Sequence, residues 1–322
     1  MAKQKRTQPR PKALYRVQNW SDYEKALVQR GSITFWLSDN FEQTWLYVSH
    51  GEKQRGSQFD YSDKAIEIML MIKEVFHLTN RGVEGFMRSL FVMMNIPLPV
   101  PDHSTLSKRG KTLKVNLSRK SSGSLNVVLD STGLKIYGEG EWKVRKHGYS
   151  KHRTWRKLHI GGNPDTGEVL AVVLTENSVS DDAVVQDMLE QIEETLLSCA
   201  GDGAYDKRKV YEALNEHSPE VEILIPPRKN ARIWQHGNSK QERHKRDENL
   251  RYIRKHGRQT WKEDSGYHIR SLAETVMFRL KTIFGDKLSA RLLQTQTTQA
   301  LIRCLALNKM TQLGMPQSYP VA

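Results

Sequence analysis

Apolar residues take up helical spacing from Ser62 onward. Ile66, Met69, Leu70, Ile72 and Phe76 recur in steps that suit one helix face, behind a Ser62 or Asp63 able to cap the first turn. Thr79, Asn80 and Gly82 then break the chain. Val83, Phe86, Leu90 and Met94 trace a second helix, closed by Pro97, Pro99 and Pro101. Asp102 or Ser104 can cap a third, short helix carrying Lys108, Arg109, Lys111 and Lys114. Three short helices with a basic last member have the layout of a helix-turn-helix unit, whose final helix enters the major groove. The competing reading is an ordinary helical cap on the domain that follows. Upstream, a charged tail, a helical candidate over residues 21–29 and a Trp-containing stretch around Phe35 to Tyr47 give no pattern that settles a fold.

From Leu125 the period becomes that of strands. Leu125 to Leu129 is an apolar run ending at Asp130, and residues 156–161 and 169–175 flank the turn sequence Asn163-Pro164-Asp165-Thr166-Gly167. A helix is predicted over 181–195, with Val184, Val185, Met188, Leu189 and Ile192 on one side. A short strand over 196–201 runs into Asp202, a helix follows over 207–215, and a strand over 221–225 stops at Pro226-Pro227. A last long helix is predicted over 265–284. The order β-β-β-α-β-α-β-α predicts an α/β fold with a ribonuclease H-like core, a mixed five-stranded sheet flanked by helices. The expected division is a basic segment over 1–60, a small helical DNA-binding region over 61–118, a catalytic domain over 122–310 with a basic insertion at 228–262, and a tail over 311–322.

Composition narrows the class. The 322 residues are 38% hydrophobic, enough for a full core. No stretch approaches the ~18 uninterrupted apolar residues of a membrane span, so no membrane partner is expected. The start, MAKQKRTQPRPK, is followed by no apolar core and does not read as a secretory signal. Two cysteines, Cys199 and Cys304, fit a reducing compartment and exclude a disulfide framework. The expected location is the cytoplasm, associated with the nucleoid. Charge is the remaining clue: the net +14 is concentrated in three tracts, over residues 1–30, 141–159 and 228–262. The second includes Arg153 and Arg156 with Trp142 and Trp155, and the third includes Trp234 and Trp261. Aromatic residues inside basic tracts favour nucleic acid, because phosphate contact and base stacking use those two residue types side by side.

Two aspartates stand at the carboxyl ends of apolar strands, Asp130 after LNVVL and Asp202 after LSCAG, the place where open α/β sheets collect functional groups. The last helix offers a third acid. Tyr267, Arg270, Glu274 and Lys281 fall within a stripe of about 60° at ~100° per residue. An acid flanked by two cations and a phenol suits a phosphodiester. Such an ester is anionic and resists nucleophiles, and two hard divalent cations about 3.5–4 Å apart can activate the attacking oxygen and stabilise the leaving one. Mg²⁺ prefers carboxylate and water oxygens, with Mn²⁺ the natural substitute, so Asp130, Asp202 and Glu274 are the candidate ligands and catalytic residues. Without metal their mutual repulsion should raise acid pKa values or leave the site partly disordered, and metal binding should relieve it. His147, His152 and His159 match no zinc spacing and are read as DNA-facing or surface residues. Asp206 is read as a helix cap or local partner.

Asp130 in LDSTGLK, Asp202 in GDGAYD, and the Y-x-x-R-x-x-x-E spacing followed by six residues and Lys281, resemble the acidic motifs of bacterial insertion-sequence transposases of the DDE type. YRVQNWSDYEKALVQRGSITFWL and PDHSTLSKR are also similar to the N-terminal part of that group, and spacings of 72 and 72 residues between the acids suit its compact members. The resemblance implies binding to terminal inverted repeats of a mobile element, hydrolytic nicking at its ends, and joining of the freed 3′-hydroxyl to target DNA; coordinated action on two DNA ends predicts a homodimer. The resemblance also implies metal binding by Asp130, Asp202 and Glu274, phosphate contacts by Arg270 and Lys281, and positioning of the terminal nucleotide by Tyr267. Lys108, Arg109, Arg153, Arg156 and Trp234 are further candidate DNA contacts. The alternatives are a catalytically silent DNA-binding protein derived from such an element, and a structure-specific nuclease on the same core.

Overall fold

The computed structural model describes residues 14–37, 40–48, 60–137, 154–235 and 244–321. Strand β1 (Leu14–Val17) is followed by the short helices α1 (Trp20–Gln29), α2 (Ile33–Trp36) and α3 (Phe41–Thr44). Three helices then stand where the apolar spacing predicts them: α4 (Asp63–Val75), α5 (Asn80–Met93) and α6 (His103–Arg109). Each starts on a side-chain cap, Ser62 accepting from the Ala65 amide, Thr79 from Gly82 and Asp102 from Thr105. The caps satisfy donors that a helix start leaves free. Thr79→Ala is expected to cost about 1 kcal/mol, read as a lower Tm in thermal denaturation.

The sheet follows. Strands β2 (Leu125–Tyr137), β3 (Thr154–Gly162) and β4 (Val169–Glu176) form an antiparallel meander. After helix α7 (Val185–Leu189), strand β5 (Leu196–Ala200) joins β2 in parallel, and after helix α8 (Arg208–His217), strand β6 (Glu222–Leu224) joins β5 in parallel. The spatial order is β4-β3-β2-β5-β6, so the predicted mixed five-stranded sheet is present. Helices α9 (Lys245–His256) and α10 (Arg258–Asp264) follow, then a 3₁₀ turn over Tyr267–Arg270, helix α11 (Ser271–Phe284), helix α12 (Leu293–Leu313) and strand β7 (Ser318–Val321), which pairs with β1.

Strand alternation sorts the side chains to two faces. Val127 and Leu129 pack with Cys199 and Ile223 on the side of α7 and α8. Val128 packs with Ala200, Trp261, Tyr267 and Ala273 on the other. Asp130 has the parity of Val128 and stands on the α11 side.

Several elements depart from the sequence reading. β2 runs on past Asp130 to Tyr137, because pairing with β3 continues after the parallel partner β5 stops at Val128. The helix expected over 181–195 is a 3₁₀ turn (Asp181–Ala183) and the short α7. Leu272, expected to pack inward, is 40% exposed. The reading had no helix over 293–313, although α12 is the longest among the described residues. The apolar cluster containing α4 and α5 also takes in Leu158 and Val172 of the sheet, Leu280 of α11, and Ile302 and Leu307 of α12. The helices over 61–118 therefore have no separate core. His159, read as DNA-facing or surface-lying, is fully buried, its Nε2 2.9 Å from Thr175 Oγ1. Arg153, the residues around Trp142, His147 and His152, and most of the basic N-terminal tail lie outside the described residues.

Candidate active site

Local sequence explains how each acid is delivered. Asp130 stands on β2 just beyond the parallel pairing with β5, and its Oδ1 accepts from the Ser131 amide at 2.9 Å. Asp202 follows β5 directly and caps the 3₁₀ turn Gly203–Tyr205, accepting from the Ala204 amide at 2.8 Å. Gly201 permits that turn, since a Cβ there would come within 2.9 Å of the Tyr205 ring. Glu274 lies in the first turn of α11, one helical turn beyond Arg270.

Arg270 ties the group together. Its Nη2 is 3.1 Å from Asp130 Oδ2 and its Nη1 2.9 Å from Glu274 Oε1. Burial pushes the Asp130 carboxyl up, and the charges of Asp202 and Glu274 push it the same way, against the Ser131 amide and Arg270. The Asp130 carboxyl therefore holds its proton more tightly than a free one, through burial first and the neighbouring acids second. Glu274 has its side chain 61% exposed and Asp130 only 15%, so the cluster runs from the sheet to solvent.

The 3₁₀ turn alters the predicted stripe. Tyr267, Arg270, Glu274 and Lys281 do not share one continuous helix: Tyr267 is buried at 9% exposure against Trp261, with ring centroids 5.6 Å apart, while Arg270 turns to the acids. Lys281 is half-buried on α11 and has no hydrogen-bond or ion-pair partner among the described residues.

A family model described as a transposase DDE domain matches residues 121–309, and a second with the same description matches residues 28–139. The chain belongs to the DDE transposase family. The match over 121–309 takes in all three acids and the whole sheet. A solved structure titled as the cryo-EM structure of piggyBac transposase synaptic complex with hairpin DNA is similar at 9% identity and a TM-score of 0.38, covering 88% of this chain and 75% of that one. Transposases of this type cut and join DNA, and their DDE domains generally use divalent metal.

The remaining candidates of the transposase are placed as follows. Lys108 is exposed on α6. Arg109 is buried, with its guanidinium on the Tyr61 carbonyl at 2.8 Å and on Asp63, so it holds α4 against α6. Arg156 gives its Nε to Gln296 Oε1 at 3.0 Å. Trp234 is half-buried, with the Arg246 guanidinium 3.8 Å from its ring centroid and Tyr211 and His244 at its edges. Its ring is used inside the protein.

Sequence reasoning missed two groups beside the acids. Asp181 is paired with Lys157 at 2.9 Å; burial pushes its carboxyl up, but contacts from His159, Ser131 and Lys157 outweigh this and hold it well below the usual carboxylate range. The Tyr205 hydroxyl is buried with no partner among the described residues, near the charges of Asp130, Asp181 and Asp202. Asp181 opens a 3₁₀ turn five residues past the end of β4, not at a strand end as Asp202 is, and no sequence signal set it apart. Asp206 pairs at long range, Arg246 Nη2 lying 3.1 Å from its Oδ2.

Among the described residues no group of three or more His, Cys, Asp or Glu side chains stands ready to hold a metal. The donor type, carboxylate oxygen, is nevertheless the one a hard divalent cation takes. The charges of Asp202 and Glu274 both act on Asp130, and the Arg270 guanidinium sits between Asp130 and Glu274, supplying the positive charge that two close acids require.

Proposed function

We propose that this transposase binds the terminal inverted repeats of an insertion sequence, cleaves the element ends and joins the 3′-hydroxyl to target DNA by two-metal phosphoryl transfer. The observation that carries the reading is the Arg270 bridge. It links Asp130 and Glu274, 144 residues apart in sequence, while Asp202 acts on the same carboxyl. Asp130, Asp202 and Glu274 would hold Mg²⁺, or Mn²⁺ in its place. Bound there, the metal would lower the cost of generating an attacking oxygen and stabilise the leaving one.

The chain's own residues do the rest. Asp130 stays fixed because β2 pairs with Ile160 of β3 at that position and its Oδ1 is held by the Ser131 amide. Arg270 neutralises Asp130 and Glu274, and its planar fork is suited to a phosphate oxygen of the bound DNA. Lys281, further along α11, contacts the next phosphate. Tyr267, held against Trp261, presents its phenol edge to the terminal nucleotide. The helices over 61–118 and the basic insertion at 228–262 contact the duplex on either side, and a homodimer brings two ends together.

The test is a cleavage and joining assay with duplexes carrying the element ends, metal being titrated in. Cleavage followed by joining supports the reading. Cleavage without joining in any target DNA points to a structure-specific nuclease, and binding without cleavage at any metal concentration points to a catalytically silent DNA-binding protein. If the basic tracts contact six or more phosphates, affinity should fall about 10³-fold or more between roughly 50 and 200 mM salt, read by fluorescence anisotropy. A flat profile counts against the DNA contacts.

A further inference from the structure

We propose that the groove between α4, α5, α6 and the start of α12 is a track for the phosphodiester backbone of duplex DNA, a contact surface that includes the catalytic domain's own last long helix. It rests on the reading of the chain as a DNA-binding transposase. The groove encloses about 1130 Å³, more than the roughly 300–1,000 Å³ typical of small-ligand pockets, so it suits an extended ligand.

Its charge selects the ligand. Arg81, Lys108, Lys111 and Arg291 line it, all four exposed and none engaged by a described residue. Glu74 is the one acid in the lining, and it is already consumed: Lys73 Nζ lies at 2.8 Å, Arg303 Nε at 2.6 Å and Gln299 Nε2 at 2.9 Å from its oxygens. Four free cations over a neutralised acid leave the groove strongly positive. The apolar floor of Leu70, Leu106 and Ile302 is a low-dielectric wall that focuses this field outward.

Backbone groups add to the side chains. The first residues of α5, Asn80 and Arg81, and the start of α12 at Leu292 and Thr295 all reach the groove. Helix α12 begins without a side-chain cap, so its first amides remain available to an anion at the positive end of the helix dipole. No Trp, Tyr or Phe lines the groove. It therefore lacks the stacking platforms that hold single strands, and the backbone of a duplex is the ligand that matches. Arg81, Lys108 and Lys111 come from the N-terminal helices and Arg291 from the entry to α12, so one duplex would touch both parts of the molecule.

The test uses the full chain and a fluorescein-labelled duplex of mixed sequence, with anisotropy followed from about 50 to about 200 mM salt. Arg291→Glu and Lys111→Glu should each weaken binding roughly tenfold at low salt and reduce the log–log salt slope by about one. Arg291→Lys should restore both, and Lys120→Glu, an exposed cation away from the groove, should leave the slope unchanged. Unchanged slopes for both glutamate variants, with parental thermal melts, overturn the proposal. So does displacement of the duplex from the parent but not from Arg291→Glu by inorganic phosphate at constant ionic strength, which identifies a small-anion site. Cleavage plays no part in this readout. A chain that binds along the groove and never cuts would sink the catalytic reading alone, and a chain that cuts with all slopes unchanged would sink the groove alone.

Discussion

Glu274→Gln should lower strand cleavage by at least about 10²- to 10³-fold while leaving the Tm and the Kd for duplex DNA nearly unchanged. The side chain is 61% exposed and its one direct partner is Arg270 at 2.9 Å, a surface pair of a kind that adds little stability. The amide keeps the shape and loses the charge that a hard cation requires, so the loss falls on chemistry. Single-turnover cleavage and a thermal melt on the same preparation separate the two.

Asp130→Asn should match it in activity and differ in stability. The Asp130 carboxyl is raised above its unfolded value, chiefly by burial. For an acid shifted in that direction the folded state holds its proton more tightly. The penalty is absent below the unfolded pKa and fully present above the folded one, so metal-free stability falls as pH rises between them. The variant lacks that step. In EDTA its Tm at neutral pH should exceed the parent's by up to a few degrees, an advantage that disappears in acid. Added Mg²⁺ should raise the parent's Tm and leave the variant's nearly still. If both substitutions cleave and join like the parent, these acids are not the catalytic set.

The largest effect on folding is expected at Arg246. Its Nε and Nη2 bind Asp206, its Nη1 reaches the Arg232 carbonyl at 2.9 Å and Asp247 at 3.2 Å, and its guanidinium covers Trp234. Asp247 in turn accepts the amides of Trp234 and Gln235. The side chains of Arg246, Asp206 and Asp247 are at most 4% exposed. Arg246→Ala leaves two buried carboxylates uncompensated and should cost about 3–5 kcal/mol, a Tm loss of about 10 °C for a chain of this size. Asp206→Asn combined with Arg246→Met should recover part of it, because removing both charges avoids the unpaired one. Calorimetry of the three proteins checks the ordering. The cluster also connects the loop after Asp202 to the basic segment, so cleavage should fall in Arg246→Ala even below its melting range.

What could be read from residues alone follows from what each segment faces. Helices α4 and α5 are amphipathic with visible caps, and the strands carry compact apolar runs bounded by turn residues, so both were legible. Helix α12 was hidden because it is enclosed on nearly all sides: Gln296, Gln299, Arg303 and Asn308 are buried beside Ile302, Leu305 and Leu307, and no polar stripe marks an outward face. Each buried polar group has a specific partner, Asn308 taking the Val169 amide at 2.7 Å and Arg303 taking Glu74, and such pairings across the chain leave no local trace. Arg109 and Trp234 failed as surface contacts for a related reason. A cation or an indole in a basic tract looks available until tertiary structure shows that an internal carbonyl or guanidinium has claimed it.

The central position of α12 also bears on how the enzyme comes into being. Apolar partners of this helix lie on α4 and on the sheet, so a chain still being translated cannot close the cluster those elements share until residue 313 has left the ribosomal tunnel. Nascent polypeptides stopped before that point should leave the apolar faces of α4 and β4 uncovered.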